Sequence, residues 1–131
     1  MARAKPKLDW LEAARNELNA DPGFRKLGST DLLLGLSLGD ESFLVRFEAF
    51  EITGIEPCKD LRDASLVLEM SPKDWNAYLR QRARGHGPTL LSLDLDQGVF
   101  KASNPVARML LPRYNHSLQA FIDAGARLAA A

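Results

Sequence analysis

The stretch Ala64-Ser65-Leu66-Val67-Leu68-Glu69-Met70-Ser71-Pro72-Lys73-Asp74-Trp75 decides how the rest of the chain is read. Its first half is apolar and strand-sized, with Leu66, Leu68 and Met70 on one face. Its second half is a helix start. Ser71 can accept a hydrogen bond from the first helical turn, Pro72 suits the first helical position, and Asp74 complements the positive end of the helix dipole. A strand therefore feeds a helix directly. That helix is expected to run to Gly85, with Trp75, Tyr78, Leu79 and Arg82 on one face at helical spacing.

Working back from this unit, Thr30 to Leu38 reads as a strand whose leucines run together, as in a crowded sheet centre. Gly39-Asp40-Glu41 is a turn signal. Ser42 to Thr53 reads as the partner strand, with Phe43, Val45, Phe47 and Ala49 on one face. The pair forms a β-hairpin. The alternation breaks at Phe50 and Ile52, which is where a bulge or burial on both faces is expected. Gly54 to Asp63 reads as a polar loop. Earlier still, Leu8, Leu11, Ala14, Arg15 and Leu18 mark a helix from Leu8 to Ala20, stopped by Asp21-Pro22-Gly23. Phe24 to Leu27 reads as one further turn. Met1 to Lys7 is a basic, flexible lead-in.

Working forward, Leu90 to Leu95 fits either a strand or a helical turn, since Leu91, Leu93 and Leu95 alternate. Val99 to Ala102 reads as a short strand. Asn104-Pro105 is a second cap-plus-proline start, for a helix carrying Val106, Met109 and Leu110 and ending near Pro112. A last helix is expected from about Ser117 to Leu128, with Leu118, Phe121, Ile122, Gly125 and Leu128 along one stripe. Strands cluster instead of alternating with helices. The class is α+β with a mostly antiparallel sheet, and residues 8–131 form one domain.

Composition sets the outer limits. The chain has 131 residues, enough to bury a core without staples. Seventeen basic and seventeen acidic side chains cancel, which argues against a nucleic-acid partner, since phosphate neutralisation needs a cationic surplus. The single cysteine, Cys58, has no disulfide mate, which fits a reducing, cytoplasmic setting. The start lacks the apolar core of a secretory signal, and no run is long enough to span a bilayer, so a soluble protein is expected.

The order of elements resembles the sterol carrier protein 2-like (SCP2-like) family over about Leu8 to Leu128. The resemblance rests on the leading helix, the hairpin Thr30–Thr53, the strand-into-helix unit from Ala64 to Trp75, and the late strand Gly98-Val99-Phe100-Lys101-Ala102 ahead of a terminal helix. It departs from that family in the leucine-rich Thr89 to Asp94 segment and the long Asn104–Pro112 insertion. The resemblance implies an antiparallel sheet covered on one side by helices, an apolar tunnel between the layers, a lipid, sterol or acyl-chain ligand, no catalytic residue and no cofactor.

The residues bear on this independently. Trp75, Tyr78, Phe100, Met109, Leu118, Phe121 and Ile122 form a concentration of aromatic and aliphatic groups on the late elements. Ordinary core packing explains such a stripe, and so does an apolar cavity wall. Arg113 and Arg82 are the candidates for meeting a polar head group, as an alternative to simple solvated helix ends. The same last helix could instead dock a second copy or a partner protein through its apolar stripe. A small cone-shaped isomerase fits less well, because the chain ends in helices.

Catalytic and metal constellations are sparse. His116-Ser117 lacks a nucleophile turn and reads more simply as a helix start. Asp94-x-Asp96 would share a face only on a strand, and no third ligand follows. Cys58 beside Lys59 has no redox partner. No metal and no cofactor are expected.

Overall fold

The computed structural model describes residues 7–39 and 41–130. Residues 1–6 of the expected lead-in and Asp40 of the expected turn lie outside the described residues. The element order is α1 (Lys7–Asn19), α2 (Pro22–Arg25), β1 (Leu32–Ser37), β2 (Ser42–Glu48), β3 (Glu51–Pro57), β4 (Leu66–Glu69), α3 (Pro72–Ala83), α4 (Leu90–Gln97), β5 (Phe100–Ala102), α5 (Pro105–Arg108) and α6 (Leu110–Ala130).

The strands form one sheet in the order β3-β2-β1-β4-β5. All neighbours are antiparallel except β1 and β4, which run parallel with Leu34 opposite Leu66 and Leu36 opposite Leu68. The hairpin read from the leucine run is present, with Leu34 opposite Val45 and Leu36 opposite Phe43. One sheet face is wholly apolar. Leu32, Leu34 and Leu36 of β1, Phe43, Val45 and Phe47 of β2, Ile52, Leu66, Leu68 and Phe100 are all buried on it. Helix α6 lies on this face: the rings of Phe47 and Phe121 meet edge to face at 5.9 Å, and Thr30 Oγ1 donates to Ser117 Oγ at 3.1 Å. The other face carries Arg46, Glu48, Glu69 and Lys101, all exposed. Part of it is covered by the β3–β4 connection. A side chain at Gly35 would meet Leu61 at 3.3 Å and Ala64 at 3.2 Å, so that connection packs directly on the β1 backbone.

The unit from Ala64 to Trp75 folds as its residues dictate. Ser71 Oγ accepts from the Asp74 backbone N–H, and Pro72 occupies the first turn of α3. The indole Nε1 of Trp75 then donates to the Ser37 carbonyl at 2.7 Å, tying α3 to the end of β1. On α1, Leu11, Ala14 and Leu18 face the core as read, and Trp10, which the spacing did not single out, joins them. Trp10 lies against Gly125 of α6 so closely that an added Cβ would sit 2.5 Å from its ring, which is why that position must be glycine.

Three readings are corrected, and one left open is resolved. The run Ser42–Thr53 is not one strand: β2 ends at Glu48 and β3 takes up part of the expected polar loop, from Glu51 to Pro57. The intervening turn uses Ala49 at φ 53°, an unfavourable value for a residue with a Cβ. Hydrogen bonds hold it there, from Ala49 N–H to the Asp31 carboxylate and from Thr30 N–H to the Ala49 carbonyl. Leu90–Gln97 is a helix. Thr89 caps it, Gly98 closes it in the left-handed region, and the 3–4 spacing buries Leu90, Leu93 and Asp94 while leaving Leu95 out. The expected break at Pro112 is absent, because a proline in the first turn of a helix removes only an N–H that has no intrahelical partner. Helix α6 therefore starts at Leu110, and Ser117 lies within it instead of capping it. Finally, Val106 and Met109 face solvent, not the core.

Candidate functional site

The apolar side chains singled out in the sequence converge on the layer between α6 and the sheet. Trp75, Tyr78, Phe100, Leu118, Phe121 and Ile122 are all buried there. They belong to one cluster with Leu34, Leu36, Phe47, Leu66 and Leu68. Met109 and Arg113 stand apart from it. Met109 is 70% exposed, and the Arg113 guanidinium stacks over the Tyr114 ring at 5.3 Å. The buried six pack with the sheet residues in one continuous cluster.

A polar network rims this layer where α3 meets α6. Arg82 donates twice to Asp123, Nε to Oδ1 and Nη2 to Oδ2, both at 2.8 Å. Its Nη1 donates to the Gly87 carbonyl at 3.2 Å. Gln119 Nε2 donates to Asp123 Oδ1 and to the Tyr78 hydroxyl, and Gln119 Oε1 accepts from the Leu90 N–H. The Tyr78 hydroxyl donates to the Pro88 carbonyl at 2.9 Å. Burial holds the Tyr78 phenol above its ordinary value, and the Asp123 hydrogen bonds hold Arg82 above its own. Arg82 is thus engaged by its own fold, so the head-group role read for it would require giving up the Asp123 pair.

The free edges of the sheet are closed by side chains. On β3, Asn19 donates to the Ile52 carbonyl at 2.9 Å and accepts from the Ile52 N–H at 2.8 Å, imitating the next strand. On β5, Asp94 accepts from the Phe100 N–H at 2.8 Å and Arg108 donates to the Phe100 carbonyl at 3.1 Å. Asp94 and Arg108 also pair with each other. An exposed edge invites strand addition, and these contacts block it. Sequence reading found none of these three roles. Their partners lie on other elements, and nothing local distinguishes an edge-capping Asp from a turn Asp.

The chemistry weighed earlier is resolved by the same geometry. Asp94 and Asp96 lie on a helix, where residues two apart diverge, so they do not form a carboxylate pair. Ser117 is buried against Thr30 while its neighbour His116 is exposed, so the two do not form a dyad. Among the described residues no cluster of three His, Cys, Asp or Glu side chains has a metal-holding arrangement. The apolar stripe of α6 is consumed by the core, with Leu118, Phe121, Ile122, Ala124 and Ala126 buried, and is not free to dock a partner. Among the described residues no helix is long and apolar enough to cross a membrane.

Two grooves open to solvent elsewhere. One of about 460 Å³ lies at the ends of β1 and β4, lined by Ser37, Glu69, Ser71, Asp74 and Gly98 among others. The second, of about 250 Å³, lies on the far sheet face beside Arg46 and Glu56. Carboxylates in both walls make them poor sites for an apolar molecule.

No family model matches the chain, and no curated protein matches it. Solved structures do. A crystal structure of sterol carrier protein 2 aligns with a TM-score of 0.67 at 22% identity, covering 91% of this chain and 94% of that one. The solution structure of the conserved hypothetical protein TT1886 from Thermus thermophilus, suggested to be a sterol carrier protein, aligns with a TM-score of 0.65 at 17% identity, covering 98% of this chain and 92% of that one. The chain has the sterol carrier protein 2-like fold.

Proposed function

We propose that this chain binds an amphipathic molecule with one apolar chain, a lipid, sterol or fatty acyl compound, between α6 and the sheet, and performs no chemistry on it. The observation that carries the reading is the largely apolar interface between α6 and the sheet, with the Thr30–Ser117 pair at its edge, in a fold shared with a protein named as a sterol carrier. Trp75, Tyr78, Phe100, Leu118, Phe121 and Ile122 are the wall residues. An aliphatic chain replaces like with like there, so the side chains that give way keep an apolar neighbour.

Entry requires a part of the wall that opens cheaply. The β5 side offers it. Its closure is made of the eight-residue α4, the three-residue β5 and the four-residue α5. Helices this short have little stability of their own, and the low-stability end of a structure is where binding openings are found. The Asp94–Arg108 pair is the latch of this closure. Arg108, half in water, keeps part of its solvation when the latch opens.

The test is direct. Protein purified from its expression host is extracted with organic solvent and the extract analysed by mass spectrometry. The stripped protein is then titrated with a fluorescent fatty acid. The reading expects co-purified lipid and saturable binding displaced by unlabelled fatty acid. A lipid-free preparation that shows no saturable binding contradicts it.

A further inference from the structure

Among the described residues the buried polar or charged side chains are Thr30, Asp94 and Ser117. Asp94 is fully engaged, accepting from the Phe100 N–H and pairing with Arg108. Thr30 and Ser117 have only each other. The Thr30 hydroxyl donates to Ser117 Oγ at 3.1 Å, and among the described residues neither side chain makes another hydrogen bond. A hydroxyl can donate once and accept twice. The mutual bond uses one of the pair's protons, so a second proton and several lone pairs are left over. Buried polar groups are ordinarily satisfied, and such a surplus calls for a partner.

The pair stands at the edge of the layer between α6 and the sheet. Ser117 lies one helical turn before Phe121 on the buried face of α6, and Phe121 meets Phe47 edge to face. Phe47 is the register partner of Leu32, which follows Thr30 along β1 with only Asp31 between. A chain lying against Phe121 and Phe47 therefore reaches these hydroxyls where the apolar contacts end. The surroundings are not arranged for a charged head. Arg113 and His116, the basic residues nearest Ser117 in sequence, are exposed, and the Arg113 guanidinium lies over the Tyr114 ring. Arg82 is held by Asp123, and the residue after Thr30 is the anion Asp31. A carboxylate buried without a cation is strongly disfavoured, whereas a hydroxyl donates and accepts without charge.

We infer that Thr30 and Ser117 hold the head of the guest and select an uncharged hydroxyl, so that this chain takes a long-chain alcohol in preference to the corresponding carboxylate. The inference rests on the function proposed above and names the kind of head group that the layer accepts. In the complex Thr30 donates to Ser117, Ser117 donates to the guest hydroxyl, and the guest hydroxyl donates to Thr30. This ring of three gives every hydroxyl both a donor and an acceptor.

The experiment is displacement of the fluorescent fatty acid from the full chain at neutral pH, by dodecanol and by dodecanoate. The wild type is compared with the double variant Thr30→Val, Ser117→Ala. Replacing both partners of a hydrogen bond by apolar groups of like shape is nearly neutral for stability, which circular dichroism and thermal unfolding check. The single variant Ser117→Ala removes the donor to the guest and carries the same expectation in direction, and Thr30→Ser keeps both hydroxyls as the conservative control. The inference expects the wild type to bind dodecanol more tightly than dodecanoate. It expects the double variant to lose roughly tenfold for dodecanol while dodecanoate and the probe stay within about twofold, and Thr30→Ser to keep the wild-type preference. A wild type without preference, or a double variant that keeps the preference or weakens both ligands equally, overturns the head-group site. Saturable probe binding without a selective loss of dodecanol removes this site alone. Absence of saturable probe binding in the wild type removes the function proposed above and the site with it.

Discussion

The two ends of the sheet solve one problem with different materials. At the β3 end the free edge meets a neutral plug, Asn19, carried on the thirteen-residue α1. That helix is itself clamped to the twenty-one-residue α6 by Trp10 against Gly125. At the β5 end the edge meets a charged plug, Asp94 with Arg108, carried on α4 and α5. The first closure shares its packing with the centre of the core. The second rests on short helices and one ion pair, tied to the same core through Leu90, Leu93 and Phe100. On the function proposed above, this inequality lets the domain hold its shape and still admit a guest, since a wall equally firm all round would open only by unfolding.

The largest expected effect is at the firm end. Trp10→Ala removes a buried indole from the α1–α6 contact and should cost roughly 3–5 kcal/mol in urea unfolding, with protection lost across the whole sheet in hydrogen exchange. Asp94→Ala should cost less, about 2–3 kcal/mol, for leaving the buried Phe100 N–H without a partner. The full range of roughly 3–5 kcal/mol for a broken buried pair is not reached, because Arg108 stays half in water. Its signature is the place of the damage. Amides of α4, β5 and α5 should exchange faster while those of α1 and β3 do not change, and fatty-acid association should speed up. Global loss of protection in this variant would mean that the two ends are not separable.

Asn19→Ala is the matching test at the other edge. It removes both hydrogen bonds to Ile52 and should cost about 1–2 kcal/mol without altering fatty-acid kinetics. The smallest effect is on pH dependence. Burial raises the Tyr78 phenol above its ordinary value, so the folded state keeps a proton that the unfolded state gives up from pH about 10. The associated stability is present below that pH and lost as pH rises through the folded value. Alkaline unfolding of the wild type should therefore steepen above pH about 10, and less so in Tyr78→Phe.

How much of this was legible follows from where the information lies. Ser71-Pro72 and Asn104-Pro105 announced helix starts because capping is decided within four residues, and both starts are observed. The first hairpin was legible because its leucines and alternating apolar residues are uninterrupted. β3 was missed because its turn is built from Ala49 and Phe50, which carry no turn chemistry, and is held by Asp31 and Thr30 from another part of the chain. The apolar wall was readable as an amphipathic stripe. That six of its members pack together, and that Met109 points away, was not, because the direction of a short helix such as α5 is set by a partner on α4. The edge plugs left no trace in the sequence at all.

The claim at the centre is that an apolar chain enters between α6 and the sheet. A fatty acid carrying a photoactivatable group at its far end, irradiated in complex and mapped by peptide mass spectrometry, reads this without an assumed route. The account predicts adducts on Phe100 and on the Leu118–Ile122 face of α6, abolished by excess unlabelled fatty acid. Adducts confined to the outer sheet face around Arg46 and Val67, or labelling that excess fatty acid does not suppress, would contradict it.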